Sequence, residues 1–241
     1  MRAVQICFLV ATVKTNFRQV MIIFFCICIF TSSKHRIKLP TKTYTYLALG
    51  DSYTIGESVP AKENFPNQTV QLLQKAGFNF QSPEIIAKTG WTTDELQESI
   101  NKHHFLTSYD FVTLLIGVNN QYRGRTSEEY KPEFESLLKQ AIKFAGNNSN
   151  HVIILSIPDW GVTPYAEGRD RKKIANEIDA YNVVNKIIAG KYKVHYIDIT
   201  AGTRKAANDP ALLTNDGLHP SGKEYVRWAV KLAAIIQNEL K

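Results

Sequence analysis

Cysteine is confined to the first 28 of the 241 residues, where Cys7, Cys26 and Cys28 are the only three. The rest of the chain therefore has neither a disulfide framework nor a thiol nucleophile. It also lacks metal-binding spacings, because His103 and His104 are adjacent and would point in different directions on a helix. No His-Glu-x-x-His pattern occurs. We therefore expect no metal and no other cofactor.

Acidic residues are missing from the first 40 positions, which hold six Lys or Arg. These six account for most of the formal net charge of +7, since the remainder carries 23 basic against 22 acidic residues. A nearly neutral domain has no excess positive charge with which to bind a phosphate backbone. We therefore expect no nucleic-acid partner.

No unbroken apolar run reaches the roughly 20 residues that a membrane-spanning helix needs. The run at residues 20–30 follows Lys14 and Arg18 and precedes three small residues at 31–33. This order is typical of a signal peptide. We expect export to the periplasm or the cell exterior, with membrane association, if any, only through this segment. The alternatives are an uncleaved anchor and a true start at Met21.

Composition predicts one globular domain behind this leader. Hydrophobic residues make up 44% of the chain and charged residues 21%, which is ordinary for a protein with a continuous core. We expect residues 1–33 to be a signal peptide or an N-terminal membrane anchor, 34–44 a linker, and 45–241 a single domain.

Within that domain, short apolar runs alternate with longer amphipathic stretches. Strands are predicted at residues 45–49, 84–87, 111–116, 151–157 and 194–199, and helices at 65–76, 93–102, 128–145, 169–189 and 221–240. Gly77, Gly146 and Gly190 follow three of the helices, as helix stops do. Five strand-then-helix units predict an α/β fold, a flavodoxin-like three-layer α/β/α sandwich with a five-stranded parallel sheet. Its ligand site is expected at the carboxyl ends of the strands.

The first predicted strand ends in Leu-Gly-Asp-Ser-Tyr-Thr-Ile-Gly, with Ser52 at its terminus. A strand terminus exposes a hydroxyl, and the glycines at 50 and 56 let a substrate approach the backbone. Ser52 is therefore a candidate nucleophile. The alternative is an ordinary turn, because Gly, Asp and Ser favour turns.

Asp216 precedes His219 by three residues, just before the last predicted helix. This spacing can aim the carboxylate at Nδ1–H of the imidazole, which leaves Nε2 to accept a serine proton. The alternative is a loop in which Asp216 only accepts hydrogen bonds from backbone N–H groups.

Two further loops offer donors for a negatively charged oxygen. Gly90 follows the second predicted strand and can present its backbone N–H, and Asn119 follows the third and can present its side-chain amide. Together with the Ser52 N–H, they would form a three-donor oxyanion hole. The alternatives are a helix-initiating turn and a polar loop.

Taken in their order along the chain, these four blocks resemble the signature blocks of the SGNH hydrolases, also called GDSL esterases and lipases. The resemblance runs from about residue 45 to the C-terminus and implies a catalytic domain with Ser52 as nucleophile, His219 as base and Asp216 as its orienting partner. It also implies that Ser52, Gly90 and Asn119 form the oxyanion hole. Tyr53 departs from the leucine of the GDSL pattern, and Asn120 stands where aspartate is common.

The resemblance implies hydrolysis of carboxylic esters through an acyl-enzyme, with a small-molecule, glycan or lipid ester as substrate. Lysophospholipids, thioesters and acetylated carbohydrates all fit. Trp91, Tyr122, Trp160 and Tyr165 lie near the predicted site and are candidates for a substrate platform, the alternative being ordinary packing at its rim. Two other functions remain open: a non-catalytic carbohydrate- or lipid-binding module on the same fold, and an acyltransferase.

Overall fold

The computed structural model describes residues 42–241. The predicted signal peptide or anchor at 1–33, and the linker apart from its last three residues, lie outside the described residues. Among the described helices, none is long and apolar enough to cross a membrane.

The core of the fold is a five-stranded parallel sheet, as predicted. Including a separate short pair, the strands are β1 (Thr43–Tyr44), β2 (Tyr46–Asp51), β3 (Asn79–Phe80), β4 (Glu84–Lys88), β5 (Phe111–Leu115), β6 (Val152–Leu155) and β7 (His195–Ile197). The main sheet has the order β4-β2-β5-β6-β7. The chain thus steps to one side of β2 and then to the other, which makes the carboxyl end of β2 a topological switch point.

Helices cover both faces of this sheet, which confirms the three-layer prediction. They are α1 (Ser52–Ile55), α2 (Phe65–Lys75), α3 (Thr93–Lys102), α4 (Val118–Tyr122), α5 (Ser127–Phe144), α6 (Arg171–Tyr192), α7 (Thr200–Thr203) and α8 (Gly222–Glu239). Helix α2 packs against α8, whereas α5 packs against both α3 and α6.

Burial explains why these segments fold as they do. Every residue of β2, β5 and β6 is buried, as expected for central strands that are covered on both faces. Helix α8 buries Tyr225, Trp228 and Leu232, which recur at the helical spacing of three to four residues. Helix α5 starts at a capping box in which Thr126 and Glu129 satisfy each other's backbone N–H groups.

Two predicted boundaries need correction. Thr43 and Tyr44, assigned to the linker, pair with β3, where the Tyr44 ring stacks on Phe80 with centroids 5.0 Å apart. Gly190 does not end a helix, because α6 runs through it to Tyr192 and ends at Lys193 in the left-handed conformation, φ 55°. A single exposed helical glycine costs only about 1 kcal/mol, which a 22-residue packed helix tolerates.

Candidate active site

Ser52 lies at the switch point, on the sharp turn from β2 into the four-residue helix α1. Asp51 caps this helix by accepting a hydrogen bond from the Tyr53 N–H. The turn requires glycine at position 50, because a Cβ there would lie 2.1 Å from Thr54 Oγ1 and 2.4 Å from the Leu115 carbonyl oxygen. Gly50, two residues before the serine, is therefore required because α1 packs so closely against β2 and β5 that no side chain fits there.

His219 reaches Ser52 although 167 residues separate them, with Nε2 2.9 Å from Ser52 Oγ. On the other side of the ring, Nδ1 lies 2.7 Å from Asp216 Oδ2. A carboxylate can only accept a hydrogen bond, so Nδ1 carries the proton and Nε2 is left as an acceptor for the serine hydroxyl. The three side chains proposed from sequence thus form one continuous hydrogen-bonded chain.

Asp216 is the most heavily bonded of the three. Its Oδ1 accepts from Thr214 Oγ1 at 2.7 Å, Leu218 N–H at 2.8 Å and His219 N–H at 2.9 Å, and its Oδ2 accepts from Ser58 Oγ at 2.8 Å in addition to the imidazole. Partial burial alone would raise its pKa, but the hydrogen bonds, chiefly from Thr214 and His219, outweigh burial and hold the pKa well below its usual range. The carboxylate therefore stays charged beside His219 at neutral pH.

The predicted oxyanion donors lie beside Ser52. Ser52, Gly90, Asn119 and His219 all line one open groove. Gly90 has φ 84°, which favours glycine, and its N–H has no protein acceptor among residues 42–241. Asn119 Nδ2 donates one hydrogen to the Trp91 carbonyl oxygen at 3.0 Å, so the second hydrogen of that amide remains for another acceptor.

Three aromatic side chains form one wall of the groove, which we call the aromatic wall: Tyr122, Trp160 and Tyr165. The two tyrosines are 42% and 47% exposed, and their hydroxyl groups lie 3.2 Å apart. Trp160 is buried edge-on behind them and donates Nε1–H to Gln121 at 2.7 Å. Trp91 is an exception to the predicted platform, because it precedes α3 with its ring packed against the hydrophobic core instead of lining the groove.

A second, smaller and mostly apolar pocket adjoins the groove. Tyr53, Trp160 and Leu218 line both spaces and so form the partition between them.

Among the residues that the structure describes, no group of three or more His, Cys, Asp or Glu side chains could hold a metal ion.

The model of the GDSL-like lipase/acylhydrolase family matches residues 48–226, which span Ser52, Gly90, Asn119, Asp216 and His219. The chain belongs to this family. Membership supports hydrolysis of esters as the general activity and specifies neither the acyl group nor the alcohol. A comparison with curated proteins gives no significant match.

Solved structures of GDSL-type hydrolases share the fold. A lipase/acylhydrolase from Enterococcus faecalis aligns with a TM-score of 0.64 at 19% identity, over 81% of this chain and 96% of that one. An acetylxylan esterase from Geobacillus stearothermophilus aligns with a TM-score of 0.63 at 21% identity, over 80% and 94%. The esterase EstA from Pseudoalteromonas gives 0.59 at 17%, over 82% and 98%. At these identities the likeness is one of fold alone.

The two departures from the GDSL pattern both lie at this site. Tyr53 is 3% exposed and packs against the imidazole of His219, with ring centroids 5.0 Å apart. Asn120 is fully buried, accepts from the Thr93 N–H at 3.1 Å and donates Nδ2–H to Thr93 Oγ1 at 2.6 Å. Because Thr93 Oγ1 gives its own hydrogen to Glu133, it needs a donor at position 120. An amide supplies that donor and a carboxylate does not.

Sequence reasoning missed Ser58, which contacts the GDSL hydrolase's candidate triad directly through Asp216. Ser58 has φ 64°, a conformation that costs a non-glycine residue about 1–2 kcal/mol. No short motif marks it, since its contact with Asp216 joins residues 158 positions apart. Glu57, its neighbour, accepts a hydrogen bond from Thr89 next to Gly90.

Proposed function

We propose that this protein hydrolyses carboxylic esters through an acyl-enzyme formed on Ser52. The observation that carries the proposal is the unbroken hydrogen-bonded chain from Ser52 Oγ to His219 and from His219 to Asp216. As Oγ attacks the ester carbonyl, Nε2 of His219 takes the serine proton, and Asp216 stabilises the resulting imidazolium. The Ser52 and Gly90 N–H groups and the second hydrogen of the Asn119 amide face the developing oxyanion.

Collapse of the tetrahedral intermediate breaks the bond to the alcohol oxygen, which receives the proton from His219 Nε2. A water molecule then takes the place of the alcohol and loses a proton to the same Nε2 as it attacks the acyl carbonyl. Ser52 leaves as its hydroxyl and the carboxylic acid is released. The same base thus serves both half-reactions, and no cofactor is required.

We further propose that the aromatic wall receives the alcohol part of the substrate. The leaving oxygen must lie near Nε2 of His219, and the wall is tied to the His219 loop because Tyr165 N–H donates to the Gly217 carbonyl at 3.1 Å. Two exposed rings with hydroxyl groups suit an alcohol that has both a flat apolar face and polar groups. Acetylated carbohydrates combine these features, so we propose them ahead of lysophospholipids and thioesters.

The first test is hydrolysis of p-nitrophenyl esters from acetyl to decanoyl by the full chain, with Ser52→Ala as control. Serine-dependent turnover that is highest with acetyl supports a short-chain esterase. Acetylated xylooligosaccharides and lysophospholipids then distinguish the alcohol classes. Ester binding without release of acid would instead favour the non-catalytic binding module, and transfer of the acyl group to an added sugar in preference to water would favour the acyltransferase.

We propose that residues 1–33 direct export or anchor the protein at the membrane, on the grounds of the basic and apolar order given above. N-terminal mass spectrometry of the protein from each cell fraction tests this. A processed or membrane-bound N-terminus is expected, and an intact leader on cytoplasmic protein would contradict it.

A further inference from the structure

The turn that carries Gly90 is joined to helix α4, which carries Asn119, by the side chains of Asn119 and of Arg123, the residue that follows the helix. Arg123 Nη2 donates to the Gly90 carbonyl oxygen at 2.7 Å, and Asn119 Nδ2 donates to the Trp91 carbonyl oxygen at 3.0 Å. We propose that Arg123 is a positioning residue that fixes the Gly90 turn relative to Asn119 and thereby sets the geometry of the oxyanion hole. This inference rests on the proposed function of the site.

The position of the Gly90 turn depends on a contact from outside the turn. Gly90 has φ 84°, and a Cβ built on it would meet no atom closer than Arg123 Nη2, at 3.9 Å. Close packing therefore does not hold the Gly90 Cα. The turn's own backbone bond, from the Trp91 N–H to the Lys88 carbonyl oxygen at 3.2 Å, closes the turn without engaging the Gly90 carbonyl oxygen. An oxyanion donor must lie within a few tenths of an ångström of its working position, since hydrogen bonds weaken steeply with misalignment. The bond to the Gly90 carbonyl supplies a restraint that the glycine itself cannot.

Arg123 links the helix that carries Asn119 to the Gly90 turn and to the start of α3. It caps the C-terminus of α4, and its backbone N–H donates to the Asn119 carbonyl oxygen, four residues earlier, at 3.0 Å. Its guanidinium also pairs with Glu95, at 3.1 Å from Nη2 to Oε2 and 3.2 Å from Nη1 to Oε1. Glu95 belongs to the capping box that starts α3 just after the Gly90 turn. The planar side chain of Arg123 thus contacts both the turn and the start of α3, while its backbone continues the helix that carries Asn119.

Removal of Arg123 should leave the fold intact. The buried pair of Asn120 and Thr93 joins α4 to α3 independently through two hydrogen bonds, of 3.1 Å and 2.6 Å. The Arg123 side chain is 43% exposed, so its ion pair with Glu95 contributes little to stability. The effect of substitution should therefore fall on the geometry of the turn.

Arg125 provides a matched control. It lies two residues further on, carries the same charge, is 31% exposed and pairs with Asp94 at 2.7 Å near the same start of α3. It does not contact the Gly90 turn. A comparison of Arg123→Ala with Arg125→Ala therefore separates the bond to Gly90 from the loss of one positive charge.

The experiment measures kcat and KM with p-nitrophenyl acetate for the wild type, Arg123→Ala, Arg123→Lys and Arg125→Ala. It also measures inhibition of each protein by a trifluoromethyl ketone, which forms an oxyanion when the serine adds to it. We expect Arg123→Ala to lower kcat about tenfold with little change in KM, which is less than the 10²- to 10³-fold loss of a donor itself. Affinity for the ketone should fall by a similar factor. Arg123→Lys should recover part of the loss, and added guanidinium ion at millimolar concentration should raise kcat of Arg123→Ala alone.

Three results would overturn the proposal. In Arg123→Ala, these are a rise in KM at constant kcat, which indicates substrate binding by Arg123, or no change in either constant. The third is a loss of kcat in Arg125→Ala equal to that in Arg123→Ala. Thermal unfolding of each variant shows whether the fold is preserved, and Arg123→Lys gives a second variant if alanine destabilises it. Failure of the proposed function looks different, because the wild type itself would then show no turnover that depends on Ser52.

Discussion

The two sides of the groove are built in opposite ways. The loop that carries Asp216 and His219 is closed largely on itself, since Asp216 accepts from Thr214, from Leu218 and twice from His219, all within three residues. The oxyanion side, which carries Gly90 and Asn119, is assembled from two separate segments, the Gly90 turn and helix α4. The contacts that hold it run between these segments, from Asn119 to Trp91 and from Arg123 to Gly90.

This difference determines how each side responds to change. A self-closed loop keeps its internal geometry as long as its central carboxylate stays charged, so its function depends on Asp216. A side that is built from a turn and a separate helix keeps its geometry only while the contacts between the two segments persist. On the base side, the loop that carries Asp216 and His219, only substitution of Asp216 should therefore cause a large loss of kcat. On the oxyanion side, each substitution should cause a partial loss.

The largest effect is expected at the point where the two sides meet. Ser52→Ala removes the nucleophile and His219→Ala the base, and each should lower kcat by roughly 10⁴-fold or more, leaving a residual rate from binding and the oxyanion hole. The double variant should lose no more than either single one, because the two groups act as a unit. Ester turnover assays test this, and additive losses would show that His219 does not act through Ser52.

The dependence of the base side on one carboxylate is tested by Asp216→Asn. The amide keeps the shape but can donate to Nδ1, which favours the tautomer with the proton on Nε2. We expect kcat to fall roughly 10³- to 10⁴-fold with the fold preserved. Activity near that of the wild type would show that the loop orients His219 without the charge.

On the oxyanion side, Asn119→Ala should lower kcat by roughly 10²- to 10³-fold with KM changed far less. The loss is smaller than at Asp216 because the N–H groups of Ser52 and Gly90 remain. Gln121→Ala, two residues from Asn119 on α4, is not a suitable control because it would remove the hydrogen-bond acceptor of Trp160. Gln140→Ala on α5 serves instead. Equal kcat for Asn119→Ala and the wild type would remove Asn119 from the mechanism.

Ser58→Ala tests whether the loop that carries Asp216 and His219 depends on a contact from outside it. It removes one of five hydrogen bonds to Asp216 and leaves a residue that still has to adopt φ 64°. Because the remaining bonds keep the carboxylate charged, kcat should fall by only about two- to fivefold, as expected for loss of one hydrogen bond worth about 1 kcal/mol. A loss as large as that of Asp216→Asn would contradict the self-closed description of the loop.

The smallest effect is expected at Asp51, and it concerns stability and its dependence on pH. Burial raises the pKa of Asp51 to about 7, only partly offset by the hydrogen bond from the Tyr53 N–H. Between about pH 4 and pH 7 the unfolded chain ionises this carboxyl while the folded protein keeps it protonated, so its contribution to stability falls as pH rises and levels off above pH 7.

Asp51→Asn keeps the acceptor for the Tyr53 N–H and removes the ionisation. Its free energy of unfolding should therefore decline less than that of the wild type between pH 4 and pH 7. Urea unfolding at several pH values measures the difference. Parallel profiles for the two proteins would show that Asp51 does not titrate as described.

The contrast between the two sides also explains what the sequence could predict. The parallel sheet followed from continuous apolar runs such as Phe111–Leu115, and the pairing of Asp216 with His219 followed from a spacing of three residues within one loop. Both depend on local pattern. The short helices α1 and α4 were not predicted, because four or five residues carry no periodicity that distinguishes them from a turn.

Contacts between distant segments were also beyond sequence reasoning. Arg123 holds Gly90 across 33 positions, and Ser58 reaches Asp216 across 158, and neither residue belongs to a motif. Trp91 was a candidate for the substrate platform because it lies near the predicted site in the sequence. The direction of its side chain depends on packing against the core, which local sequence does not specify.

The measurement that tests the central claim most directly is mass spectrometry of the full chain quenched with acid during turnover of p-nitrophenyl acetate. The account predicts a protein heavier by one acetyl group, with the modification on the peptide that contains Ser52. In Asp216→Asn it should form far more slowly, and in Ser52→Ala it should be absent. Turnover with no acetyl group on Ser52, or the same modification in Ser52→Ala, would contradict an acyl-enzyme at this serine.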